Sequence, residues 1–288
     1  MDRGRPAAPG ADVRARRPWV GTIGSRAVAQ AGPQAPFFCL SPGRSGSTTL
    51  ARVLSQSPDC DCRHEPHPQL IAEATEWRYR GARGEEIVAA LRRSRRPSRG
   101  TVYGETSHKM ALIVPLIRRA FAGARFVWVT RDGREFARSA FRLGWHADGP
   151  PESEWAAWRP RGDLAGEVSP GEWAAMDRFE RVCWHWSYVN RVVEADLARS
   201  PAAGIRVRLE ELEGELPRIC EHVGVAPVAF EVGRENERWP AYSAGRPLAE
   251  MPPWPHWDRG LRSAFERRCG ELMDRLYPGW RRAQGAAA

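Results

Sequence analysis

The sequence predicts an α/β fold: three layers, α/β/α, around a central and mainly parallel sheet. Two observations predict it. Short runs rich in Val, Ile, Phe or Trp recur at Phe37 to Ser41, Thr101 to Glu105, Arg125 to Thr130 and Ile205 to Leu209, the composition of buried strands. Between them the apolar residues take a helical period. Strands separated by helices pair in parallel through crossovers, which cover both faces of the sheet. Ligands of such sheets gather at the carboxyl ends of the strands.

In chain order, the first 34 residues, rich in Arg, Ala, Gly and Pro, read as a disordered tail, and a single domain is expected over 35–282. The first strand runs into a loop of small and hydroxyl residues, then a helix over Ser47 to Ser57. Further helices are expected at Glu85 to Arg95, Leu112 to Ala122 and Glu135 to Leu143. A long amphipathic helix is expected from about Glu172 to Ala198, with others at Glu211 to His222 and Arg259 to Leu276. Two stretches break the pattern. His146 to Gly171, rich in Gly, Pro and Trp, reads as a lid or acceptor loop (146–171), and Asn236 to Trp257 carries Pro240, Pro247, Pro252, Pro253 and Pro255.

Composition narrows the class. At 288 residues and 42% hydrophobic, the chain can bury a full core. The formal charge is +9, and Lys109 is the only lysine among 44 Lys and Arg residues. Arginine grips phosphates bidentately, but these arginines are dispersed among acids, with no RRM, KH or zinc-finger pattern, so no nucleic-acid partner is expected. No apolar run reaches the about 18 residues of a membrane span, nor is there a secretory core, so a cytoplasmic enzyme without a membrane partner is expected. Six cysteines are too few for a disulfide framework at this length. Cys60, Cys62, His64 and His67 alone resemble a ligand set, but their spacing fits zinc poorly, so idle thiols and no metal are expected.

The loop Pro42-Gly43-Arg44-Ser45-Gly46-Ser47-Thr48-Thr49 carries the most chemistry. Gly43 and Gly46 permit a tight turn, so successive N–H groups and the positive end of the next helix converge on one spot. Arg44, Ser45, Ser47, Thr48 and Thr49 add donors for a phosphate or sulfate. Two residues, not four, separate the glycines and no lysine follows, so this is not a GxxxxGK[ST] loop.

Three further motifs accompany it: Arg131-Asp132-Gly133-Arg134 after the strand Phe126 to Thr130, with Ser139 on the next helix; Arg206-Val207-Arg208-Leu209-Glu210-Glu211-Leu212; and Cys269-Gly270-Glu271-Leu272-Met273 with Leu276-Tyr277-Pro278. Together they resemble the sulfotransferases that use 3'-phosphoadenylyl sulfate (PAPS), of bacterial type, over Phe37 to Tyr277. The resemblance implies a P-loop nucleotide-hydrolase-like fold, PAPS as donor and no metal. It implies that Arg44, Ser45, Gly46, Ser47, Thr48 and Thr49 hold the 5'-phosphosulfate, and Arg131 and Ser139 the 3'-phosphate. Many relatives carry lysine at Arg44 and proline at Gly133; Arg44 keeps the charge but cannot hand over a proton.

Sulfuryl transfer, by analogy with phosphoryl transfer, is an in-line displacement. It needs stabilised oxygens, which the loop amides and Arg44 can supply, and a base for the acceptor hydroxyl. Glu65, in His64-Glu65-Pro66, is the first choice of base and His108, in Thr106-Ser107-His108, the second; Glu105 and Lys109 flank the site. Trp145, Trp155, Trp158, Trp173, Trp184 and Trp186 suggest an aromatic-lined pocket for a hydroxylated small molecule or glycan. The rivals are a small-molecule kinase, which would use Asp132 as Mg ligand but lacks the loop lysine, and a non-catalytic nucleic-acid-binding protein. Oligomeric state is left open.

Overall fold

Phe37–Leu40 is buried at every position, as a strand covered on both faces must be. It is β1, the centre of the sheet. The structure, a computed structural model, describes residues 34–227 and 250–282. With β1, the strands Cys60–His64 (β2), Val102–Thr106 (β3), Arg125–Thr130 (β4) and Gly204–Arg208 (β5) form an all-parallel sheet in the order β2-β3-β1-β4-β5. Side chains alternate between the two faces. Phe38, Leu40, Phe126 and Trp128 enter one core, and Phe37, Cys39, Val127 and Val129 the other.

The helices are Ser47–Leu54 (α1), Ile71–Arg80 (α2), Gly84–Ser94 (α3), Val114–Ala120 (α4), Gly133–Arg142 (α5), Glu154–Ala157 (α6), Pro170–Ala175 (α7), Arg178–Ala198 (α8), Leu212–Val223 (α9) and Arg259–Leu276 (α10). The larger core takes buried residues from α2, α3, α4, α5, α8 and α10, and the smaller from α1 and α9. The expected three layers are therefore present. Strand order reverses at β1, between β3 and β4, so the cradle loop after β1 opens at the topological switch point.

Three expectations need correction. Cys60–His64 is a strand that the strand pattern omits. Its sequence, Cys-Asp-Cys-Arg-His, holds no β-branched residue, and it lies at the sheet edge, where Asp61 pairs with Arg63 at 2.6 Å. Helix α2 is likewise unexpected: its N-cap residue is Leu70, with φ 54° and no side-chain cap. The long helix over 172–198 is two. Ser169 and Glu172 form a capping box on α7, Met176 is extended, and Asp177 caps α8 by accepting the Glu180 N–H at 2.8 Å. The tail over 1–33, and 228–249 of the proline-rich stretch, lie outside the described residues. Within 146–171 the described chain is irregular apart from α6 and the start of α7.

Candidate active site

Gly43, Arg44 and Gly46 all have positive φ (85°, 53° and 72°), so successive backbone donors face one concavity. Gly46 is the N-cap of α1 and supplies no side-chain cap, so the first N–H groups of the helix are left for a ligand. A methyl group at Gly43 would sit 2.8 Å from Trp145 Cη2, and one at Gly46 would collide with Leu209 Cδ1. Both glycines are thus fixed by conformation and by close packing.

The two predicted anion sites meet. Arg131, at the end of β4, donates through Nη1 to the Arg44 carbonyl at 2.7 Å, and Arg44 Nε donates to Ser139 Oγ on α5 at 3.0 Å. Burial lowers the pKa of each guanidinium, and that of Arg44 is lowered further by Arg131. Two cations held side by side favour an anion between them. Ser45 is buried and donates its hydroxyl to the Gly43 carbonyl at 2.9 Å, so it offers a ligand its N–H rather than its side chain. Ser47, Thr48 and Thr49 form the first turn of α1, half-buried at the mouth of the cradle.

The remaining motifs brace these. Leu209 packs on Gly46, while Glu210 accepts the Asp132 N–H at 2.9 Å and the Tyr277 hydroxyl at 3.1 Å. Asp132 caps α5, and both of its oxygens are taken by Arg134, down to 2.6 Å. The acid that a Mg-dependent kinase would need is therefore already engaged.

Glu65 and His108, expected as alternatives, touch. Backbone pairing of His64 with Thr106 aligns the ends of β2 and β3, and His108 Nδ1 lies 3.1 Å from Glu65 Oε1. Glu65 holds φ 46°, an unfavourable conformation for a side-chain-bearing residue that is stored where geometry demands it. Burial pushes the Glu65 carboxyl upward, but the His108 hydrogen bond and the charges of His108, His64 and Lys109 outweigh it and hold it below its ordinary range. Burial likewise keeps His108 below 6.5 despite Glu65. A carboxylate can only accept, so Nδ1 carries the proton and Nε2 is the basic nitrogen. The side chains are 24% and 22% exposed, open enough to meet a substrate.

His64, considered only as a metal ligand, joins the cradle to this pair. Its Nδ1 lies 2.8 Å from the Thr106 carbonyl, its Nε2 3.2 Å from Thr48 Oγ1 and 3.9 Å from Glu65 Oε2. Cys60 and Cys62 are buried with Cys39 in the smaller core, and among the described residues no group of three His, Cys, Asp or Glu converges as a metal set.

Glu105 and Lys109 do not line the cradle. Glu105 is 1% exposed and bonded to Arg95 at 2.7 Å and to Tyr103 at 3.1 Å. Lys109, also 1% exposed, donates to Thr75 Oγ1 at 2.9 Å and to the Trp158 carbonyl at 2.5 Å. It fastens the 146–171 segment to α2. That segment lays Trp155 over His108, ring centroids 4.6 Å apart. Of the other tryptophans, Trp186 is fully buried with its N–H on the Arg131 carbonyl, and Trp184 stacks on Tyr188 at 4.7 Å. Those two pack α8 and do not line a pocket. Nothing in the sequence marked Trp145, among many tryptophans, as the ring that covers Gly43.

Among the described residues no helix is long and apolar enough to cross a membrane. The family model described as the Sulfotransferase family matches residues 36–112. Among solved structures, the chain is similar to a sulfotransferase from Alicyclobacillus acidocaldarius at 16% identity, over 86% of this chain and 96% of that one, with a TM-score of 0.48. It is similar to a mouse sulfotransferase complexed with PAP at 15% identity, over 88% and 89%, with a TM-score of 0.43. A third likeness is to the sulfotransferase domain of the Synechococcus PCC 7002 olefin synthase, at 15% identity over 69% and 77%, with a TM-score of 0.41. None of the curated proteins matches the chain. The stretch that matches the sulfotransferase family model, residues 36–112, builds the cradle and contributes both halves of the Glu65–His108 pair.

Proposed function

We propose that this enzyme transfers the sulfuryl group of PAPS to a hydroxyl of a small-molecule or glycan acceptor, with Glu65 and His108 working as one acid–base unit. The observation that carries this reading is the convergence, at one end of one sheet, of Arg44, Arg131 and Ser139 with the Glu65–His108 pair. The donor fits the donor set. Gly43 and Gly46 hold the positive φ that turns the loop N–H groups toward one concavity, and Arg131 lies close enough to lower the pKa of Arg44. The N–H groups at the start of α1, with Arg44, would hold the phosphosulfate, and Arg131 with Ser139 the 3'-phosphate. When bound, PAPS supplies a sulfuryl group on a phosphate leaving group.

The chain's own residues do the rest. Glu65 accepts from Nδ1 of His108 and so keeps Nε2 unprotonated and oriented, as the acid of a His-carboxylate pair does. The unit takes the acceptor proton, and the imidazolium so formed is stabilised by the adjacent carboxylate. Trp155 and Trp145 lie over this end of the cleft, where they keep water from the donor.

Calorimetric titration with adenosine 3',5'-bisphosphate (PAP) and with AMP tests the donor site. PAP should bind about ten- to a hundredfold more tightly, the worth of one charge-assisted contact, and Arg131→Ala should erase the difference. Equal affinities in the wild type would overturn the reading.

A further inference from the structure

Buried and half-buried arginines in this chain have partners almost everywhere. Arg95 holds Glu105, Arg134 holds Asp132, Arg131 holds the Arg44 carbonyl, and Arg178 holds the Trp145 and Phe141 carbonyls. Arg159 is different. It is half-buried, yet among the described residues its guanidinium has no hydrogen bond and no ion pair; it lies over the Trp145 ring, whose centroid is 4.5 Å from Cζ. Stacking leaves the edge of a guanidinium, with its donors, free to bind.

Position gives this a meaning. Trp145 is the ring that packs on Gly43 of the cradle, and its centroid is 6.4 Å from that of His108. The neighbours that feel Arg159 are His108, Lys109, His146 and His185. Burial and the nearby Arg178 lower its pKa to about 10. Nor is the side chain on loose backbone. The Trp158 carbonyl accepts from Lys109 and Thr75, and the Arg161 N–H donates to Tyr79 at 2.6 Å. A partly buried, unpaired cation on a fastened segment costs stability. Such a cost is retained where a ligand supplies the counter-charge.

We propose that Arg159 recognises the acceptor, and that the acceptor bears a carboxylate near the hydroxyl to be sulfated. This rests on the sulfotransferase reading for the hydroxyl, but not for the carboxylate. The carboxylate takes the guanidinium edge bidentately while Trp145 supports its face, which brings the acceptor beside the Glu65–His108 pair.

Matched probes test it on the full chain saturated with PAP: para-hydroxybenzoate against its methyl ester, and 3-hydroxybutyrate against its amide, titrated by calorimetry. In each pair the acid should bind about tenfold or more tightly than its neutral twin. Arg159→Gln should abolish the preference and Arg159→Lys should retain part of it, with PAP affinity unchanged in both. No preference for either acid in the wild type would overturn the proposal. So would a loss, in Arg159→Gln, of affinity for PAPS but not for PAP, since the guanidinium would then serve the donor's sulfuryl group. If PAP proves no tighter than AMP, the sulfotransferase reading fails alone, and the same titrations on the unliganded protein still decide Arg159.

Discussion

Two glutamates stand at the ends of neighbouring strands and have opposite fates. Glu105, on β3, is sealed: 1% exposed, gripped by Nε and Nη2 of Arg95 at 2.7 and 3.2 Å and by the Tyr103 hydroxyl. Glu65, just beyond β2, is a quarter exposed, sits at φ 46°, and has a histidine in place of an arginine. An arginine cannot give up its proton, so the Arg95–Glu105 pair can only hold the structure together. A histidine can, so the Glu65–His108 pair can turn over. What separates scaffold from chemistry here is the partner's capacity to titrate, together with access to the cleft.

The comparison breaks most visibly at Glu65. Glu65→Gln should lower sulfuryl transfer about a hundred- to ten-thousandfold, the range for loss of acid–base catalysis, while PAP binding and the melting temperature stay near wild type. His108→Ala should do the same, and the double variant should be little worse than either single one if the two act as a unit. Full activity in Glu65→Gln would end its role. The mirror experiment is Arg95→Met, which leaves Glu105 buried and uncompensated. It should cost about 3–5 kcal/mol in denaturant unfolding, with activity per folded molecule retained.

A pH profile sharpens the contrast. Glu65 titrates below its ordinary range and His108 below 6.5, so the pair is in its working state, carboxylate and neutral imidazole, from below pH 6.5 upward. The acid limb of kcat/KM should therefore lie below about pH 6.5, the unperturbed imidazole value. Glu65 itself raises His108, by hydrogen bond and charge. In Glu65→Gln the residual activity should thus hold to a still lower pH. A limb above pH 7 in the wild type would mean that the Glu65 carboxylate outweighs burial at His108.

Much of this was legible in the sequence, for reasons that can be named. Strands β1, β3, β4 and β5 carry the Val, Ile, Phe and Trp of buried strands, and Gly43 and Gly46 mark a turn only such residues make easily. The cradle was legible in local spacing, and Arg131 and Ser139 only through the family resemblance. The Glu65–His108 contact was not, because the two are 43 residues apart and meet through the β2–β3 register. With β2 unseen behind its Cys-Asp-Cys-Arg-His sequence, the residues looked like competitors. Lys109, adjacent to His108 in sequence, looked like a site residue, and only its Thr75 and Trp158 partners reveal an anchor. Arg159 bore no signal in sequence; it stands out by what it lacks.

Lys109 is the case between the two glutamates, buried like Glu105 but without a carboxylate bonded to it, and it yields the smallest effect. Burial, with Arg159 nearby, lowers its pKa from 10.5 to about 7. The folded protein therefore holds fewer protons at this site than the unfolded chain between about pH 7 and the unfolded value near 10.5. Stability rises with pH wherever the unfolded state binds more protons. The burial penalty is thus fully felt below pH 7 and fades as pH climbs through that window. Buried tyrosines and cysteines, whose pKa values are raised, act oppositely, but they do so equally in a Lys109→Met variant. The stability of the wild type minus that of Lys109→Met, measured by urea unfolding, should therefore increase from pH 7 to pH 9. A flat difference would mean that the ammonium is compensated where it lies, and Lys109 would then belong with Glu105.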